Sequence, residues 1–227
     1  MNKWAIMWEE RGKSYPSMNP RELDGHSHPT SLYTQERVDI YIEQVRKALN
    51  LSKNNNLLEV GCGAGMLLGP LSQYVGEAVG VDIAKSMLKK AKIIFPYLKL
   101  CVAQANNLPF QDSSFDRVLC AGVFHYFPNL KYAKEAIIEL KRVCKFKGKI
   151  MITFIPDKKM KKEYKKVHKK SIKKDKWVSR FGVDGLKWLF YDKDFFKGFF
   201  KNCKIENVNI PGYPEGKFKF NLVAIND

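Results

Sequence analysis

The sequence predicts an α/β fold: a mostly parallel sheet with helices packed on both faces. Three observations predict it. Short apolar runs alternate with amphipathic segments from Asn56 to Phe154, the pattern of parallel strands joined by crossover helices. The first run, Leu57-Leu58-Glu59-Val60, passes straight into the glycine-rich turn Gly61-Cys62-Gly63-Ala64-Gly65, as a strand does where a ligand must approach the main chain. The 227 residues, 45% of them hydrophobic, supply the core of one domain.

Taken in order, residues 1–52 read as a helical cap. Thr34 or Ser31 is placed to cap a helix whose apolar positions Val38, Ile42, Val45 and Leu49 recur at near-helical spacing. Upstream, the turn formers of 14–20 and 25–29 break regularity. Residues 53–155 form the core: strand 57–60, helix 66–74, strand 78–82, helix 86–95, strand 100–103, strand 115–120, helix 132–144 and strand 149–154. Residues 156–191 form a lysine-rich lid or acceptor insert, in which Met160, Tyr164, Val167 and Ile172 give only a thin apolar stripe. Residues 192–227 supply a last helix, 192–202, and strands 204–210 and 217–225, joined in hairpin fashion by Pro211–Gly216.

Composition excludes several classes. No run approaches the roughly 18 apolar residues of a membrane span, and the amino terminus lacks the long apolar stretch and cleavage site of a signal peptide. The expected location is the cytoplasm. The five scattered cysteines contain no Cys-x-x-Cys pair, which argues against a disulfide framework or a zinc knuckle. The net charge of +17 invites a nucleic-acid reading. However, lysines outnumber arginines 33 to 7, and 14 of those lysines fall between Lys145 and Lys176. A solvated lysine surface, or attraction of an anionic small substrate, accounts for this better than base recognition by arginine forks.

The glycine turn carries the chemistry. Alone it fits a dinucleotide as well as a methyl donor. Asp82, at the tip of the second strand, is placed to accept the hydroxyls of a ribose in either ligand. Two features separate them. Met66 stands where a dinucleotide fingerprint requires its third glycine, and Glu59, just before the turn, would repel a pyrophosphate. A carboxylate there suits S-adenosylmethionine, which carries a sulfonium and an ammonium and no phosphate.

These segments resemble the class I S-adenosylmethionine-dependent methyltransferases, particularly the ubiquinone/menaquinone-type and small-metabolite group. The resemblance rests on Leu58–Gly65, Val81–Leu88, Asn107–Asp116 and Arg142–Lys149, and spans about residues 57–155. It implies a Rossmann-like, seven-stranded sheet ending in an antiparallel hairpin. It implies that Gly61 and Gly63 face the methionine part of the donor, with Cys62 and Gly65 in the same turn, and that Asp82 holds the ribose. Ile83 and Met87 are then expected near the adenine, with Gln104, Ala105 and Asn106 along its edge and Ala121 at the tip of the fourth strand. Gln104 departs from the acidic residue common at its position; its carbonyl still accepts a hydrogen bond, without the charge-assisted part.

The acceptor is less legible. His125, after the fourth strand, is the candidate general base, since an imidazole titrates near neutrality; packing at the strand end is the competing reading. No Asn/Asp-Pro-Pro-Tyr or Pro-Cys motif of amino- or cytosine-methylating enzymes occurs, which favours an oxygen acceptor on a small, anionic metabolite such as a sugar nucleotide. RNA methylation and non-catalytic donor binding are the alternatives. Trp8, Tyr15, Tyr33 and a second aromatic group (Trp177, Phe181, Trp188, Phe190, Tyr191) are candidates for the pocket wall or for packing. His26 and His28 lack a third ligand, so no metal is expected.

Overall fold

The computed structural model describes residues 3–24, 34–172 and 188–227. His26, His28, Ser31, Tyr33, Trp177 and Phe181 lie outside the described residues. Seven strands form one sheet: β1 (Asn56–Val60), β2 (Glu77–Asp82), β3 (Lys99–Val102), β4 (Phe115–Ala121), β5 (Cys144–Pro156), β6 (Cys203–Asn207) and β7 (Lys219–Ile225), in the order β3-β2-β1-β4-β5-β7-β6. The first five pair in parallel, while β7 runs antiparallel to β5 and β6. The strand order reverses beside β1, so a crevice opens at the tips of β1 and β4, where open α/β sheets take their ligands.

Strand alternation divides the core between two faces. Leu58, Val60, Val118, Cys120, Ile150 and Ile152 pack against Ala133, Ala136, Ile137 and Leu140 of α6 (Leu130–Val143) and Phe196 of α8 (Lys193–Lys197). On the opposite face, Leu57, Leu119 and Met151 meet Val38, Tyr41, Ile42, Val45 and Leu49 of α3 (Gln35–Leu49) and Leu68 and Leu71 of α4 (Leu68–Leu71). Thr34 caps α3, its side chain accepting from the Arg37 amide, and Asn50 closes the helix in the left-handed conformation at φ 51°. The last face element is α5 (Lys85–Ile94); α7 (Lys161–Ile172) lies beyond β5.

Five elements differ from the sequence expectation. The helix expected over 66–74 is the short α4 followed by a 3-10 turn, Ser72–Tyr74; Pro70 removes one of its few backbone donors. The strand expected over 149–154 begins at Cys144, directly out of α6, because Cys144 pairs with Phe115 across a bulge. The helix expected over 192–202 ends at Lys197, and the chain turns after Gly198 so that Phe200 reaches the core. The strand expected over 204–210 ends at Asn207, and a 3-10 turn, Pro214–Phe218, takes the place of the first residues of the strand expected over 217–225; within the expected helical cap, α1 (Lys3–Ser14) and α2 (Pro20–Leu23) stand on either side of the turn formers of 14–20.

Candidate active site

The glycine turn hangs from β2. The amides of Gly61 and Cys62 both donate to the Val81 carbonyl, at 2.7 and 3.0 Å, which fixes the tip of β1 beside the tip of β2. Gly61 and Gly63 take φ values of +77° and +52°, a region that excludes most side chains. A Cβ on Gly63 would stand 2.3 Å from Asp24 Oδ1, so the turn is also too crowded for one. The Cβ direction of Gly65 meets Phe95 and Leu98 instead. The Cys62 side chain is buried with Leu57 and Leu68 in the sheet core, leaving only its main chain to a ligand.

Three carboxylates converge on this turn. Asp82 accepts from the Gly63 amide at 2.9 Å and from Ala84 at 2.8 Å, one on each oxygen, and the Ile83 amide is also directed at it; a carboxylate's remaining acceptor capacity is left for a hydroxyl. Glu59 is 2% exposed, with the Leu68 amide at the start of α4 directed at it, and among the described residues its Oε2 has no hydrogen-bond partner. Asp24, which the sequence reading missed, accepts from the Ala64 amide at 3.0 Å. Burial raises the pKa of all three, and the proximity of Asp24 and Asp82 raises Glu59 further. Acidic oxygens gathered beside a Cβ-free turn favour a cationic ligand over a pyrophosphate.

The strip beyond β3 is partly open. Gln104 is exposed and bridges to Asn107. Ala105 is buried, and Asn106 donates from Nδ2 to Glu135 at 2.9 Å while its buried Oδ1 has no partner. Ile83, 39% exposed next to Asp82, presents an apolar edge for a planar ring. Met87 is buried with Leu23, Ala64 and Ala84 in a small core under α1 and α2.

The wall opposite is aromatic. Ala121 ends β4, and His125 follows in a 3-10 turn, Phe124–Tyr126, buried at 5% exposure. Its ring packs on Tyr126 at 3.8 Å and on Trp188 at 4.7 Å between centroids. Trp4 and Trp8 of α1 reach Tyr126 from the other side, at 4.6 and 5.5 Å. Trp188 also stacks on Tyr164 of α7, and Lys219, 8% exposed, holds its ammonium 5.2 Å from the Trp188 ring while donating to Tyr213 Oη at 2.8 Å. Tyr15 lies under the Arg11 guanidinium, and Tyr191 is buried, donating to the Phe124 carbonyl at 2.8 Å; both serve packing. The five cysteines are unpaired, with burial raising each thiol. Among the described residues, no group of three His, Cys, Asp or Glu is arranged to hold a metal.

Comparison with known proteins agrees with this geometry. The family model described as methyltransferase domain matches residues 58–152. Protein MJ1123 of Methanocaldococcus jannaschii is 31% identical over 203 residues, covering 86% of this chain and 95% of its own length. The chain belongs to the class I S-adenosylmethionine-dependent methyltransferases. Methyltransferase C25B8.09 of Schizosaccharomyces pombe is 33% identical over 125 residues, 53% of this chain, which spans only about half (48%) of that relative's length. In fold, the chain is similar to the N-methyltransferase NodS of Bradyrhizobium japonicum in complex with S-adenosylhomocysteine, with a TM-score of 0.66 and 15% identity over 97% of this chain and 98% of that one. As a methyltransferase, the chain takes S-adenosylmethionine as its cofactor, and the carboxylate-lined turn fits that group. Among the described residues, no helix of this methyltransferase is long and apolar enough to cross a membrane.

Proposed function

We propose that the chain transfers the methyl group to an oxygen of a small, anionic acceptor, with His125 as the general base. The observation that carries this reading is the shared Trp188 ring: the His125 imidazole packs on it at 4.7 Å, and the Lys219 ammonium lies 5.2 Å from its centroid. A proton acceptor and a cation thus meet on one aromatic ring near the tips of β4 and β7, where we place the acceptor recess. Bound donor supplies an electrophilic methyl carbon on a sulfur that leaves as a neutral thioether. Glu59, Gly61, Gly63, Asp82, Ile83, Gln104, Ala105, Asn106 and Ala121 are the residues placed to hold it, Cys62 through its main chain; Gly65 and Met87 support the turn from behind. The acceptor hydroxyl gives its proton to the imidazole as its oxygen forms the new bond to carbon; Lys219 draws the acceptor's negative charge into the recess, and the rings of Trp4, Trp8, Tyr126 and Trp188 exclude water.

A second reading, methylation of RNA, draws on α7, where Lys161, Lys162, Lys165 and Lys166 are exposed while Tyr164 is turned onto Trp188. Incubation with labelled donor and fractionated cell extract separates the two. Label in the small-metabolite fraction, bound with a shallow salt dependence, supports the proposal. Label in RNA with a steep loss of binding as salt rises overturns it.

A further inference from the structure

The strap α1–α2 is fastened over the donor end of the cleft with unusual care. Gly12 has no room for a Cβ, which would stand 2.2 Å from Ser86 Oγ, and so lets α1 press directly on α5. Glu9 then takes the Ser86 amide at 2.9 Å and, through its carbonyl, the Ser86 hydroxyl at 2.6 Å. Arg11, 4% exposed, donates to the carbonyls of Glu22 and Leu23 at the end of α2. Leu23 is fully buried against Ala64, Ala84 and Met87. Every one of these contacts fixes the position of the next residue, Asp24.

Asp24, at the end of α2, is half-buried. Its Oδ1 accepts from Ala64 and lies against the bare face of Gly63, the turn expected to face the methionine part of the donor, and the Met66 amide is also directed at the carboxylate. The charged and titratable groups around it are Asp82 from β2, Glu59 from β1, Tyr126 from the β4 turn and Arg11 from α1. Among the described residues, three acidic side chains face one guanidinium at this corner, so an incoming cation meets acceptors and little competing positive charge. Independently, among those residues the buried Glu59 Oε2 has no hydrogen-bond partner. A carboxylate only accepts hydrogen bonds. Within the methionine part of the donor, the ammonium is the group that donates them; the sulfonium has no N–H or O–H, and the terminal carboxylate would be repelled.

We propose that Asp24 is a donor-binding residue, its carboxylate receiving the methionyl ammonium of S-adenosylmethionine beneath the α1–α2 strap. This rests on the assignment of the donor to the glycine turn. No bond is made or broken in the step; an ammonium exchanges hydration for a charge-assisted hydrogen bond.

The test compares two nucleosides on the whole chain by titration calorimetry. S-adenosylhomocysteine carries the ammonium, whereas 5′-methylthioadenosine lacks the amino-acid end. Asp24→Asn keeps the shape and, through its amide oxygen, one of the main-chain contacts from Ala64 and Met66. At pH 8 it is expected to weaken S-adenosylhomocysteine by about tenfold or more and to leave 5′-methylthioadenosine unchanged, which also reports that the variant is folded. At pH 6 the gap narrows, because burial and the neighbouring carboxylates push the Asp24 pKa up to about 7. Unchanged or tighter S-adenosylhomocysteine binding, or equal weakening of both nucleosides, overturns the proposal. Absence of any response to either nucleoside in the unsubstituted protein overturns the donor assignment with it, whereas loss of binding in Asp82→Ala alone leaves the donor assignment standing without Asp24.

Discussion

At the tips of β1 and β2, the surface offered to a ligand consists of amides and carboxylates held close in sequence, from Glu59 to Asp82, with Asp24 as the outlier. At the tips of β4 and β7 it consists of rings and one ammonium, drawn from α1, the β4 turn, α7, residues near 188 and Lys219. Under the proposed function, the difference reflects what each end must recognise. Main-chain donors and short acidic side chains are fixed by the sheet itself, so they hold an invariant ligand with little conformational cost. Aromatic side chains from separate segments shape a recess that can change without disturbing the sheet, as an acceptor site on a shared fold requires.

If the two ends divide the work in this way, substitutions at each should separate turnover from donor affinity. The largest effect is expected from His125→Ala, which should lower label transfer roughly a hundredfold or more while the calorimetric affinity for S-adenosylhomocysteine stays the same. Near-normal transfer would return His125 to a packing role and dissolve the contrast. Asp82→Ala should do the opposite, weakening S-adenosylhomocysteine by about 1.5–3 kcal/mol through loss of charged hydrogen bonds; an unaltered titration would remove Asp82 from the site.

Stability against pH sharpens the comparison. Burial raises the pKa of Asp24, Glu59 and Asp82 in the folded protein, Asp24 from 3.8 to about 7. The folded state therefore binds more protons than the unfolded chain between these values, and this cluster's contribution to stability falls as pH rises from about 4 through 7. Thermal unfolding of Asp24→Asn, relative to the unsubstituted protein, should gain most above pH 7 and gain little or nothing near pH 4. A pH-independent difference would mean that Asp24 is not protonated in the fold. The smallest effect is expected away from both ends: Tyr41→Phe removes the buried 2.6 Å hydrogen bond to Thr153 Oγ1 and should cost about 1 kcal/mol in denaturant unfolding, with donor affinity unchanged.

Much of this protein was legible because it depends on local rules. Strand runs of β-branched and leucine residues, the helical spacing of Val38, Ile42, Val45 and Leu49, and the cap at Thr34 each follow from a few consecutive residues. The glycine turn is legible for the same reason, since positive φ values and close approach both demand glycine there. The inner length of β5 was not, because a bulged pairing of Cys144 with Phe115 decides it.

The sequence by itself determined the sheet, the turn, and the acidic preference for a cationic donor over a pyrophosphate, since these arise from neighbours along the chain. Only the tertiary structure decided that Asp24 joins Glu59 and Asp82, and that Trp4, His125, Trp188 and Lys219 join one aromatic cluster. Those groups are far apart in the chain, and nothing in their spacing encodes a meeting; burial of Leu23, the grip of Arg11 on α2 and the insertion of β7 between β5 and β6 bring them together.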